Sequence, residues 1–426
     1  MSKLSIVGGE RLEGEVRTSG SKNATLALLA GSLLAKGETV LTNVPRIGDV
    51  YTMIEMMRSL GAKVKVEEDR VTIDATELAC GEAPYELVKK MRASFCVLGP
   101  VLARTGFAKI AMPGGCDIGA RPIDFHVKGI QTLGAQMNTE HGFVEARANR
   151  LIGAEVYLDF PSAGATQHIM TAACLAEGVT TIQNAASEPE ITNLADCLRA
   201  MGAKIKGDSA GTIYVEGVRE MHGTECRVIS DRMEAGTFAV AAAITGGDVV
   251  IRDIVPKHME PFTSKLRETG AIVQVNGDWV RIRMAGRPLA TDVVTMPHPG
   301  FPTDMQQPFV ALLSLAKGTS VITENVYERR FKYVNELARM GADIKQEGRT
   351  AIVKGVEKLT GAEVTATDLR AGAALICAGL AAEGVTEVSG IEHLDRGYEN
   401  IESKLKQLGA YVIGADARRG IALCSA

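Results

Sequence analysis

The chain has 426 residues, two to three times the length of an ordinary domain, and 46% of them are hydrophobic while only 4% are aromatic. That composition excludes a disordered chain and, with 45 glycines, describes a core packed closely from small aliphatic residues. Lys and Arg number 47 against 51 Asp and Glu, and the resulting net charge of −4 argues against a general polyanion binder such as a nucleic-acid-coating protein.

Residues 1–21 carry charges throughout and no apolar run, so neither a secretory signal nor a membrane anchor is read there. Apolar stretches such as Ala371 to Ala382 fall short of the roughly 18 to 20 residues that cross a bilayer. A cytoplasmic protein without membrane contact is expected. Its eight cysteines (80, 96, 116, 174, 197, 226, 377 and 424) form no C-x-x-C pair, which predicts reduced thiols. Cys96, Cys174 and Cys377 lie in Ala/Leu-rich helical patterns and read as small buried hydrophobes.

After a first strand-like segment, Lys3 to Ser19, the chain repeats itself. The motif hydrophobic-Gly-Ala followed by alternating residues recurs six times, with glycines at 61, 134, 202, 270, 341 and 409, spaced 68 to 73 residues apart. Each is preceded by an Ala-rich helical segment closing on a glycine, at 37, 106, 178, 247, 318 and 384, which the pattern assigns to the left-handed C′ position of that helix. The unit reads as helix, Gly, β-branched strand (ETVLTNV, VTTIQNA, DVVIRDI, TSVITEN, VTEVSG), second helix, Gly-Ala and a strand pair. A unit of about 70 residues buries too little core alone, and six exceed one core, so two domains of three units each are predicted, divided between Gly217 and Asp231.

The six first helices open on polar residues that a buried Ala-rich helix does not require. These are SGSKNA (Lys22, Asn23), KKMRAS (Arg92), PSAGATQH (Ser162, Gln167), SDRMEAG (Asp231, Arg232, Glu234), FPTDMQQ (Thr303, Asp304) and TDLRAG (Asp368, Arg370). The second helices are read as opening at Arg121, at Arg329 and Arg330, and at Arg396. Helix N-termini favour anions and Arg adds bidentate recognition, so a small polyanionic ligand is expected where these starts converge. Asp304 by itself also suits a first helical turn on dipole grounds. The loop from Met112 to Pro122 breaks the pattern with Gly114, Gly115 and Gly119 around Cys116. That thiol is either a reactive group near Arg121 or a small tolerated loop residue. No metal-ligand spacing, Walker loop or dinucleotide fingerprint occurs, and no cofactor is expected.

GSKNA at 20–24, MRAS at 91–94, PGGCDIGARPID at 113–124, DRMEAGTF at 231–238, PHPGFPTDMQ at 297–306, RRF at 329–331, ATDLRA at 366–371 and DRGYE at 395–399 together resemble the enolpyruvyl transferases, across nearly the whole chain. Within that family they look like the branch that uses UDP-N-acetylglucosamine. The resemblance implies an α/β (α+β) fold of two inside-out α/β barrel domains, each of three pseudosymmetric repeats, as in EPSP synthase. Residues 22–229 would form one domain, carrying the Cys116 lid loop, and residues 1–21 with 230–426 the other, with the active site in the cleft between them.

It further implies transfer of the enolpyruvyl group of phosphoenolpyruvate to the 3-hydroxyl of UDP-N-acetylglucosamine with release of phosphate, the first committed step of peptidoglycan synthesis. Lys22, Asn23, Arg121, Arg330, Arg370 and Arg396 would surround the phosphoenolpyruvate. The nucleotide sugar would meet Asn23, Arg92, Arg121, Pro122, Ile123, Asp124, Ser162, Gly164, Thr303, Asp304, Val326 and Glu328, with His126 near the Pro122 to Asp124 turn. Asp304 would be the base for the sugar hydroxyl, Cys116 the proton donor to the methylene carbon, and Lys22 and Arg396 catalytic cations. Where relatives carry lysine near position 48, this chain has Gly48. The alternatives are 5-enolpyruvylshikimate-3-phosphate synthase, disfavoured by the Cys116 loop, and a noncatalytic nucleotide-sugar sensor, which would not need Asp304, Lys22 and Cys116 together. A monomer is expected.

Overall fold

The computed structural model describes residues 3–78, 81–112 and 123–414. They divide into two compact units: a C-terminal unit of residues 3–19 and 230–414, and an N-terminal unit of the described residues between 20 and 229. Gly20 and Ser21 go with the N-terminal unit, where the Ser21 amide donates to the Ile229 carbonyl at 2.7 Å.

Each unit is built around three Ala-rich helices. In the N-terminal unit these are Lys22–Ser32, Leu98–Thr105 and Ala163–Ala173; in the C-terminal unit they are Arg232–Ile244, Gln306–Leu313 and Leu369–Ala381. Every residue from Met233 to Ile244 is buried, as is every residue from Gln306 to Leu313. A helix that is apolar on all sides must be enclosed on all sides, and three larger sheets per unit enclose them, beside a two-stranded pair, Ala35–Lys36 with Met221–His222, in the N-terminal unit. The sheets alternate buried and exposed residues, as in Thr212–Glu216 and Trp279–Arg283, with one face on the helices and the other open.

Among the described residues the five four-stranded sheets share one topology, and the three-stranded sheet Phe107–Ala111, Phe143–Arg147, Gln136–Glu140 keeps its antiparallel part. In the strand order Glu155–Tyr157, Val179–Gln183, Thr212–Glu216, Lys204–Lys206, the first pair is parallel and the rest antiparallel. The order Val293–Thr295, Thr319–Glu324, Thr350–Lys354, Asp343–Glu347 repeats it. The expected single N-terminal strand is two strands, and both serve the C-terminal unit. Glu13–Arg17 is the parallel partner of Asp248–Arg252, while Lys3–Val7 lies antiparallel between Val385–Ser389 and Tyr411–Gly414. The N-terminal unit is closed by its own tail, Glu225–Arg227, parallel to Glu38–Thr42.

Two expectations are corrected. The C′ glycine belongs to the second helices: Gly61, Gly134, Gly202, Gly270, Gly341 and Gly409 all have φ between 91° and 103°, each following the C-cap of such a helix. Of the glycines assigned to the first helices, only Gly106 is a left-handed cap; Gly37, Gly178, Gly318 and Gly384 also have positive φ but turn the chain into the following strand. In the fourth repeat the positive φ falls on Gly246, not Gly247. The thiols are not all reduced either. Cys197, on helix Pro189–Ala200, is disulfide-bonded to Cys226 of the closing strand, with Cα atoms 5.7 Å apart. Pairing of residues 29 apart in sequence follows from that strand's return to the helix, which no Cys spacing reveals.

Candidate active site

In the C-terminal unit the helix starts converge on Asp304. Its Oδ1 accepts from Arg330 Nη2 at 2.7 Å and its Oδ2 from Arg370 Nε at 3.1 Å. Both guanidiniums are buried, with side chains 3% and 4% exposed, whereas the Asp304 side chain is 26% exposed. The carboxylate is therefore the part of the cluster that solvent or a substrate reaches. Burial opposes the charge on Arg330, and Asp304, Asp368 and Glu324 outweigh it, holding its pKa above the usual value. Arg370 is likewise raised, burial being outweighed by Tyr398, Asp304 and Asp231.

Each arginine is held from behind. Arg330 Nη1 donates to Thr303 Oγ1 at 2.9 Å, and the Thr303 hydroxyl donates to Glu324 Oε2 at 2.9 Å. Glu324 is fully buried and also accepts from the Thr295 hydroxyl and from the amides of Val326 and Tyr327, at 2.8 to 3.0 Å. Arg370 Nη1 donates to Tyr398 Oη at 2.9 Å, and Tyr398 Oη is 2.8 Å from Thr237 Oγ1. The Asp368 carboxylate caps helix Leu369–Ala381 by accepting from the amides of Arg370 and Ala371. Glu328 lies apart from this cluster, exposed and 3.5 Å from Arg349.

In the N-terminal unit, Ser21 caps helix Lys22–Ser32. Lys22 Nζ lies 3.3 Å from Asp49 Oδ2, the side chains being 16% and 5% exposed, and Asn23 beside it is exposed. Asp49 sits in the first turn of the helix that Gly48 begins. A separate group forms where Ser162 caps helix Ala163–Ala173. His126, on the helix that Asp124 begins after Ile123, has Cε1 and Nε2 each 3.4 Å from where a Cβ on Gly164 would stand.

Cys116, Arg121 and Pro122 lie outside the described residues, and so does the Arg92 side chain, although Arg92 begins the 3₁₀ helix Arg92–Val97. The reading of Arg330 and Arg396 as second-helix openings is corrected. Arg330 is in the turn before helix Val334–Arg339, and Arg396 ends the short helix Glu392–Asp395, ahead of Ile401–Gln407. The sequence reading missed Asp49, Glu324, Tyr398 and His168. Tyr398 stood inside the DRGYE motif and His168 inside PSAGATQH; nothing local marked Glu324 at the end of its strand. No group of three or more His, Cys, Asp or Glu placed to hold a metal occurs among the described residues.

The sequence profile of the family described as EPSP synthase (3-phosphoshikimate 1-carboxyvinyltransferase) matches residues 6–405. The chain belongs to this family. Among its curated relatives, UDP-N-acetylglucosamine 1-carboxyvinyltransferase 2 of Carboxydothermus hydrogenoformans is 54% identical over 414 residues, covering 97% of this chain and 99% of the relative. UDP-N-acetylglucosamine 1-carboxyvinyltransferase 1 of Caldanaerobacter subterraneus subsp. tengcongensis is 54% identical over 411 residues, 96% and 99% of the two chains. The solved structure of the enolpyruvyl transferase NikO from Streptomyces tendae superposes with a TM-score of 0.88 at 26% identity, over 97% of this chain and 99% of that one. EPSP synthase from Acinetobacter baumannii, at 21% identity and a TM-score of 0.77 over 97% and 100%, shares the fold. The two units of three buried helices and three sheets are thus the EPSP synthase fold.

The double pairing of Asp304 makes it a structural residue of the C-terminal unit. Asp304→Asn leaves two buried guanidiniums with one neutral acceptor, and the expected loss of stability is about 3 kcal/mol, the lower end for a broken buried pair because Asp304 is partly exposed. Denaturant unfolding of the variant checks this; a midpoint equal to that of the wild type would show that the pairs contribute nothing.

His168 is fully buried, and its pKa is pushed well below 6.5, first by burial and second by His126. On unfolding the ring gains a proton that the folded state refuses, so the unfolded state binds more protons and stability rises with pH. Its contribution is whole above about pH 6.5 and is lost as the pH falls toward the folded pKa, at on the order of 1.4 kcal/mol per pH unit. Urea unfolding at about pH 7.5 and about pH 5.5 should show a steeper acid loss in the wild type than in His168→Asn. Parallel losses would remove His168 as the source.

Proposed function

We propose that this protein transfers the enolpyruvyl group of phosphoenolpyruvate to the 3-hydroxyl of UDP-N-acetylglucosamine, releasing phosphate by addition and elimination, as a UDP-N-acetylglucosamine 1-carboxyvinyltransferase of cytoplasmic peptidoglycan synthesis. The observation that carries this reading is the 54% identity, over 97% of the chain, to a relative bearing that name. The shikimate-type alternative rests on structures only 21% and 22% identical.

Asp304 removes the proton of the 3-hydroxyl, and its oxygen bonds to C2 of phosphoenolpyruvate as Cys116 protonates the methylene carbon. Loss of a proton from the resulting methyl group then expels phosphate and restores the double bond in the product. The geometry suits the first step. A carboxylate offers about four lone-pair sites, and the contacts of Arg330 and Arg370 fix the plane of Asp304 while its side chain stays 26% exposed, within reach of a hydroxyl. Lys22 and Arg396, with Arg121, would hold the phosphate and carboxylate of the donor. Asn23, Ser162, Gly164, Ile123, Asp124, Thr303, Val326 and Glu328, with Arg92, Arg121 and Pro122, would recognise the nucleotide sugar. Thr303 and Val326 already support Arg330 and Glu324, so their contribution includes holding that framework.

Phosphate release should be seen with phosphoenolpyruvate and UDP-N-acetylglucosamine and be absent with shikimate-3-phosphate. Release with shikimate-3-phosphate alone would overturn the assignment.

A second expectation concerns the thiols. Burial pushes Cys174 and Cys377 up to about 12, which leaves them protonated and unreactive at neutral pH, and Cys197 and Cys226 are bonded to each other, whereas Cys96, expected to be buried like the first two, is only partly so. Fosfomycin, a small phosphonate epoxide resembling the donor, should therefore alkylate Cys116 first, faster with UDP-N-acetylglucosamine present, while Cys116→Asp stays active and resists. Mass spectrometry after brief exposure locates the adduct; primary modification at another cysteine would refute the role of Cys116.

A further inference from the structure

His168 sits one helical turn beyond Gly164 on helix Ala163–Ala173 and shares its face. Its Nδ1 is 3.0 Å from His126 Nδ1, and both rings meet Phe95 edge-on at centroid distances of 5.6 and 5.5 Å. The pocket is tight. A Cβ on Gly99 would stand 2.6 Å from His168 Cδ2, and one on Gly129 would stand 2.3 Å from Ile169 Cδ1, so one neighbouring helix closes on His168, and the other on Ile169 beside it, only because each carries glycine there. His168 Nε2 is buried without a hydrogen-bond partner.

Those contacts settle where the protons sit. Between two nitrogens only one can donate, and a buried N–H with no acceptor costs more than a bare ring nitrogen. His168 therefore leaves Nε2 bare and carries its proton on Nδ1, which donates to His126 Nδ1. His126 then has no proton on Nδ1 and carries it on Nε2, which with Cε1 lies 3.4 Å from where a Cβ on Gly164 would stand. After burial, His126 is the ionisable group that acts on His168.

We propose that His168 is a positioning residue that fixes His126 as a neutral ring with its Nε2–H directed to the Ser162–Gly164 helix start, as a donor to an acceptor atom of the nucleotide sugar. The proposal rests on the function proposed above for its ligand, but not for its proton placement. Asparagine is the informative replacement, because its Nδ2 overlays His Nδ1 and preserves the donor, whereas leucine keeps the volume and removes it.

The test has two readouts on the full chain. In a ¹⁵N-histidine spectrum at neutral pH, with the His126 signals assigned by their loss in His126→Gln, Nδ1 of His126 should be bare and Nε2 protonated. In steady-state kinetics, His168→Leu should raise KM for UDP-N-acetylglucosamine about fivefold, the weight of one oriented hydrogen bond, with kcat unchanged, and His168→Asn should restore it. A proton on His126 Nδ1, or equal KM values in the two variants, overturns the proposal. Should the wild type release no phosphate with UDP-N-acetylglucosamine, the proposed function fails, and the spectrum by itself decides the role of His168.

Discussion

Helices buried on every side impose the architecture. With Ala, Gly, Leu and Val all round, Arg232–Ile244 and Leu369–Ala381 have no face to offer water, and a single sheet covers only one side of a helix. Three such helices packed together and walled by three sheets satisfy that demand, and small side chains let the helices approach closely enough to share one core. Polar groups are then confined to the helix ends. At the N-terminal ends the unpaired amides need acceptors, which Ser21, Ser162, Asp231 and Asp368 supply.

The chemistry of the C-terminal unit follows from that confinement. Arg330 and Arg370 enter a nearly dry environment, where an uncompensated cation would be prohibitive, and Asp304 is the carboxylate they share. Glu324, Thr303 and Tyr398 then orient the guanidiniums from the buried side. The result is a carboxylate whose position is fixed by its partners, the preorganisation that the proposed role of Asp304 as a base requires. Arg330 and Arg370, two of the arginines expected around the donor, are both paired with Asp304.

The N-terminal unit solves a related problem with smaller residues. Gly99 and Gly164 leave room for the rings of His168 and His126 among helices that would otherwise meet side chain to side chain. Lys22 is paired to the buried Asp49 and projects from a helix start that Ser21 caps. A cation neutralised by one carboxylate at a helix N-terminus keeps a favourable local field for an anion without exposing an isolated charge.

The repeat, the division into three units and three, and the helix openings that carry Lys22, Ser162, Asp304 and Arg370 were legible in the sequence, because each depends on local order: hydrophobic period, a glycine at a fixed interval, a polar residue at a helix start. The motifs around them likewise named the family. What sequence order cannot express is which distant segments meet. Lys3–Val7 lies between Val385–Ser389 and Tyr411–Gly414, Cys197 reaches Cys226, Glu324 stands behind Thr303 and Arg330, and His168 pairs with His126. Those contacts were decided by tertiary structure. Their partners are brought together by enclosing buried helices on all sides, and the burial that makes a carboxylate or an imidazole useful there exists only once the enclosure is complete.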